Sequence, residues 1–131
     1  MKLHFIAKRY IATLKIIQML VIGLIREGKS PADNRVALTP AQCRWMKQHV
    51  PNVTILVQTS KNRCFSDDEY SKAGMQIVED MQPCDILLGI KEVPIHMLIP
   101  NKKYLFFSHT KKQQPHNQKL LQAIIENKIT L

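Results

Sequence analysis

At 131 residues, with 45% hydrophobic side chains, the chain is long enough to bury one core and too apolar to be a disordered tail. Its formal charge of +9 would suit a polyanion, but Lys2, Lys8, Arg9 and Lys15 share a stretch without acids, most other cations are interleaved with carboxylates, and no aromatic ladder accompanies the local cluster Lys102/Lys103 and Lys111/Lys112. Nucleic acid is therefore set aside as a partner; the cluster could equally hold an anionic substrate or cofactor. Cys43, Cys64 and Cys84 lie far apart, without CxxC or a histidine at ligand spacing, which argues against a disulfide framework and a metal site and for free thiols in a reducing compartment.

Residues 1–18 alternate basic and apolar side chains (Phe5, Ile6, Lys8, Arg9, Ile11, Leu14, Lys15, Ile16), as an amphipathic helix or a transit-like leader would. The preferred reading takes Met19 as the natural start and residues 1–18 as an upstream extension, with residues 19–131 as one domain. A cytoplasmic location follows, with a mitochondrial leader as the alternative. The apolar run at 19–25 is far shorter than the roughly 20 residues of a membrane span, so it reads as a buried strand, and no membrane partner is expected.

From there short apolar runs alternate with amphipathic segments, the pattern of an α/β layer fold. A strand is expected over 20–26, then a polar loop over 27–38. Thr39, Pro40 and Gln42 give an N-cap, a first-turn proline and a residue able to reach back to the cap, so a helix runs from Thr39 to about Val50, ended by Pro51. The β-branched run 53–58 predicts a second strand. Ser66 and Glu69 frame a second capping box whose helix stops at Gly74, before a short strand over 75–78. The runs 85–90 and 103–108 are continuously apolar, as strands buried on both faces of a parallel sheet are. Residues 115–127 are helical in pattern, with Leu120, Leu121, Ile124 and Ile125 on one stripe. Residues 129–131 begin a further strand, so the domain is expected to be incomplete at its C-terminus. The fold class expected is α/β: an open, mostly parallel, Rossmann-like or flavodoxin-like sheet with helices on both faces, in three layers.

Open parallel sheets place ligands outside the carboxyl ends of their strands. Lys91 follows the run 86–90, His109 follows 104–108, and Arg35 lies in the loop after the first strand. If the two later strands are neighbours, backbones about 4.8 Å apart put Lys91 and His109 over one crevice. An arginine fork matches a carboxylate, and a histidine with a lysine can move protons at an amine or imine carbon. Position alone leaves the other reading open, in which both are solvated loop residues. His49, at a helix end, suits the helix dipole; His96 and His116 read as surface residues, and Trp45 and Met46 as packing.

Three segments carry more. Arg26-Glu27-Gly28-Lys29 followed by Asn34-Arg35-Val36-Ala37-Leu38-Thr39-Pro40, then Ile90-Lys91-Glu92-Val93-Pro94, then Phe106-Phe107-Ser108-His109-Thr110 with Lys112 and Gln114, resemble in order the N-terminal signatures of alanine dehydrogenases, transhydrogenase nucleotide-binding subunits and saccharopine dehydrogenases. The third is most similar to lysine-forming saccharopine dehydrogenases and the lysine-ketoglutarate reductase domain. The resemblance implies that Arg35 holds a substrate carboxylate, that Lys91 and His109 form the acid and base pair, and that Lys29 and Glu92 support the site. Thr110, Lys111 and Lys112 stand where alanine dehydrogenases carry small apolar residues, which favours a larger, more anionic substrate such as saccharopine; transhydrogenase-type domains typically lack the histidine. The alternatives are an alanine dehydrogenase-type domain and a stand-alone noncatalytic amino-acid-binding or regulatory module.

The glycines Gly23, Gly28, Gly74 and Gly89 make no GxGxxG. The cofactor implied, NAD or NADP, is accordingly expected on a dinucleotide-binding domain C-terminal to this one or on another chain, and this chain alone is expected to be inactive. The partners implied are an amino-acid or 2-oxo-acid substrate and that second domain, with a homo-oligomer left open.

Overall fold

A computed structural model describes residues 18–111 and 114–131; the leader-like residues 1–17 and Lys112 lie outside the described residues. Five parallel strands, β1 (Leu20–Leu24), β2 (Val53–Gln58), β3 (Gln76–Val78), β4 (Ile86–Leu88) and β5 (Lys103–Leu105), form one sheet in the order β3-β2-β1-β4-β5. The sheet reverses its winding at β1, between β2 and β4, which is the half-sheet order of the Rossmann fold. Thr130 adds an isolated parallel bridge to Lys103 at the β5 edge.

Helices α1 (Pro40–His49) and α2 (Asp67–Lys72) both open on complete capping boxes, Thr39 with Gln42 and Ser66 with Glu69, where the sequence puts them. They cover one face, packing Cys43 and Tyr70 against Ile22, Leu24, Ile55 and Val57. Burial pushes the Cys43 thiol up to about 11, so it is an inert filler; Cys84 is also buried and Cys64 exposed, and all three are free. On the other face Leu56, Leu87 and Tyr104 meet Met81, Cys84 and Val93 from the connections around β4, with Ile129 alongside. Fully burying a side chain such as Val57 or Leu87 is worth about 1.5–3 kcal/mol, which fixes the register of the central strands. Helix α3 (Gln118–Glu126) links β5 to the Thr130 bridge. The right-handedness of parallel crossovers puts it on this second face, giving the three layers.

Four expectations are corrected. The runs read as strands over 20–26, 85–90 and 103–108 form ladders only over their first or middle residues, because the remainder turns into the loops that carry the polar residues. The β5 run is not buried on both faces: Tyr104 is inside, but Leu105 is 61% exposed. In α3 the inward stripe is Leu120, Ala123 and Ile124, while Ile125 is 68% exposed; at 100° per residue, 120, 123 and 124 share a face and 125 turns away. Trp45 is exposed rather than packed and stacks on His49, whose Nδ1 lies 2.8 Å from the Trp45 carbonyl oxygen.

Candidate functional site

The carboxyl ends of β1, β4 and β5 are adjacent, and the loops leaving them carry the polar residues singled out in the sequence. β4 and β5 are neighbours, and two single backbone bonds tie the loops that leave them: Gly89 N–H donates to the Leu105 carbonyl at 2.9 Å and Phe107 N–H to that of Ile90 at 3.0 Å. Lys91 and His109 emerge just beyond the last of these bonds. His109 is held at φ +54°, a left-handed conformation sparsely used by residues other than glycine. Two contacts fix that turn: Ser108 Oγ and Thr110 Oγ1 are 2.8 Å apart, and Asn117 Nδ2 donates to the His109 carbonyl at 3.1 Å. The imidazole is left 55% exposed.

Glu92 brings two loops together. Its carboxylate, on a side chain only 11% exposed, accepts from Lys29 Nζ at 2.6 Å and has His109 Nε2 at 3.9 Å from its other oxygen. Burial disfavours its charge, but the Lys29 hydrogen bond, its own backbone N–H and the positive charge of Lys29 together hold the carboxyl below the usual glutamate range. Lys29, Glu92 and His109 thus form one cluster beside Lys91.

Arg35 stands on the β1 side. Asp33 grips it as a fork, with Nε to Oδ1 at 2.9 Å and Nη2 to Oδ2 at 2.6 Å. The Arg35 side-chain and backbone donors, helped by the charge of Lys91, lower the Asp33 carboxyl to about 2. At neutral pH an incoming carboxylate therefore competes with an ionised Asp33 for this guanidinium, with Nη1 free of other partners among the described residues. Asp33 is not among the residues the sequence points to, and Glu27 stands there only as a member of the segment Arg26-Glu27-Gly28-Lys29. Asp33 left a trace there, since an aspartate two residues before a loop amide forms this kind of turn bond, here Arg35 N–H to Oδ1 at 3.0 Å. Next to the His109 turn a cavity of about 350 Å³ is lined by Thr110, Gln114, Pro115, Asn117, Gln118 and Leu121.

Lys102 and Lys103 precede β5 or open it while Lys111 follows its carboxyl end, so these lysines do not form one basic patch. His96 and His116 are exposed in single 3-10 turns, and no group of three metal-ligating side chains occurs among the described residues. No described helix is long and apolar enough to cross a membrane.

The strand order invites a dinucleotide at the β1 and β4 ends, but the residues there do not fit one. A pyrophosphate needs a glycine turn leading directly into a helix N-terminus. Here the whole segment 25–39 separates β1 from α1, and the α1 N-terminus is already engaged by the Thr39 box. Gly28 gives no open approach: a Cβ there would lie 2.6 Å from Met97 Sδ and 3.0 Å from the Pro94 ring.

Residues 23–131 match the family described as alanine dehydrogenase/PNT, N-terminal domain. The chain belongs to that family. It is 35% identical over 115 residues to an alpha-aminoadipic semialdehyde synthase of Arabidopsis thaliana, covering 85% of this chain and 11% of the relative. It is 34% identical over 103 residues to a saccharopine dehydrogenase [NAD(+), L-lysine-forming] of Emericella nidulans, covering 74% of this chain and 27% of the relative. A solved L-alanine dehydrogenase shares the fold with a TM-score of 0.67 at 19% identity, over 84% of this chain and 31% of that one. The chain thus spans about a tenth to a third of the proteins it matches.

Proposed function

We propose that this chain is the substrate-side domain of an NAD(P)-dependent oxidoreductase acting on the C–N bond of an amino acid, of the saccharopine type. The observation that carries the reading is that Arg35, Lys91 and His109, with Lys29 and Glu92, lie on the loops leaving the carboxyl ends of three adjacent strands, where the described residues form no dinucleotide cradle. The hydride acceptor, NAD or NADP, is supplied by a separate dinucleotide-binding domain.

The residues of this chain bind and move protons. Arg35 exchanges Asp33 for a substrate carboxylate, a swap of one charged fork for another that costs little. Of Lys91 and His109, one accepts the proton of the secondary amine as that C–N bond is oxidised to an imine. The pair then delivers protons as water adds to the imine carbon and lysine departs from 2-oxoglutarate; a reductase runs the same steps in reverse. The cavity beside His109, with the amides of Gln114, Asn117 and Gln118, leaves room for the second arm of saccharopine, which alanine lacks.

Titrating saccharopine into the isotope-labelled chain and following its amide resonances tests this reading. Shifts should concentrate at Arg35, Lys91, Glu92, His109 and Gln118, with weaker changes for alanine at equal concentration. Shifts confined to other surfaces, or equal for the two ligands, would reject it.

A further inference from the structure

The β1 and β4 backbones part company at the site. Ile25 N–H still donates to the Leu88 carbonyl at 3.0 Å, but the Ile90 and Lys91 amides of the β4 loop have no backbone acceptor. A side chain takes over: Glu27 Oε1 accepts from Ile90 N–H at 2.6 Å and Oε2 from Lys91 N–H at 2.9 Å. Both carboxylate oxygens are committed to the backbone of the two residues that deliver the Lys91 side chain. Gly89 makes room for this approach, since a Cβ there would lie 2.9 Å from Ile25 Cδ1 and 3.4 Å from Glu27 Oε1. Glu27 also sits in the loop that carries Arg35, close enough for its charge to add to that of Asp33 in favouring the Arg35 cation.

We propose that Glu27 is a positioning residue, which clamps the Ile90 and Lys91 amides so that the Lys91 ammonium is held in register with the carboxylate-binding Arg35. The proposal rests on the reading of Lys91 as a proton-transfer group. Two bonds from one rigid carboxylate fix the direction in which the β4 loop leaves the sheet, and Lys91 Cα is the next atom along. The β1 loop thereby sets both ends of the site, Arg35 directly and Lys91 through Glu27. Orphaned, these two amides would seek water or another acceptor, and the lysine would move with them.

The test uses the holoenzyme that carries this chain. Glu27→Gln keeps one acceptor and turns an amide donor toward an N–H. It should lower kcat about 10- to 100-fold, as a displacement of a reacting group by about 1 Å does, while KM for the amino-acid substrate stays within about threefold and the pH profile of kcat shifts. An unchanged kcat and pH profile in Glu27→Gln, with Lys91→Met inactive, would overturn the role of Glu27 alone. Full turnover in Lys91→Met would overturn the reading beneath it. Should Glu27→Gln fail to fold, the unsubstituted holoenzyme decides: the Ile90 and Lys91 amides should be protected from hydrogen exchange, and exchange at the rate of a free loop amide would refute the clamp.

Discussion

Replacing Lys91 by Met, or His109 by Asn, in a holoenzyme carrying this chain is expected to lower turnover by about 10²- to 10⁴-fold, the range over which a positioned proton-transfer group contributes. Stability should hardly change. Lys91 is tied down through its backbone amide rather than its side chain. The His109 imidazole is half exposed, and asparagine tolerates the left-handed backbone at φ +54°. Thermal melting of each variant beside its kcat separates the two effects. Losses in kcat with an unshifted melt are expected; activity within a few-fold of the parent in both variants would remove Lys91 and His109 from the chemistry.

A second large effect is expected on folding, at Arg63. Its side chain is only 6% exposed and pairs with Asp67. It also donates to the Gln58 carbonyl at 2.8 Å and the Phe65 carbonyl at 2.9 Å, and lies 4.5 Å from the centre of the Tyr70 ring. Arg63→Met would leave those carbonyls without their donor and a partly buried carboxylate with only Thr59 and the Ser60 amide. Removing one partner of a buried pair costs about 3–5 kcal/mol. Asp67 is a third exposed and can recruit water, so the lower end applies, a fall in Tm on the order of 10 °C. Arg63→Lys should recover less than half of it, because an ammonium cannot span three acceptors in a plane. Calorimetric melts check both, and an Arg63→Met melt within about 2 °C of the parent would show that the network contributes nothing. The consequence reaches the site: Cys64 N–H donates to the Asn34 carbonyl at 2.7 Å, so the segment Arg63 anchors supports the loop that presents Arg35.

What the sequence makes legible follows from what local chemistry encodes. Thr39 with Gln42 and Ser66 with Glu69 mark the starts of α1 and α2, because a capping box is satisfied within four residues. β2 is read to the residue, since a β-branched run bounded by turns has little else to become. The strands flanking the site are harder. Their apolar runs continue into the loops, and only pairing partners from distant segments decide where a ladder ends. Exposure of Leu105 and Ile125 is likewise a property of what lies opposite them. Within the site, Lys91 and His109 draw notice by their place after apolar runs, and β4 and β5 are neighbours, as that placement requires. The contacts between loops are not visible: Glu27 reaches the amide of residue 91, Glu92 reaches Lys29, and Asn117 reaches the carbonyl of His109. None of these has a period or a local motif.

The central claim is that this constellation serves saccharopine-type C–N chemistry, and steady-state kinetics of the holoenzyme test it most directly. With NAD or NADP in excess, kcat/KM for saccharopine should exceed that for alanine by at least about 10³-fold, because the polar side chains that would meet the second arm gain no partner when that arm is missing. A kcat/KM for alanine equal to or above that for saccharopine would contradict the account.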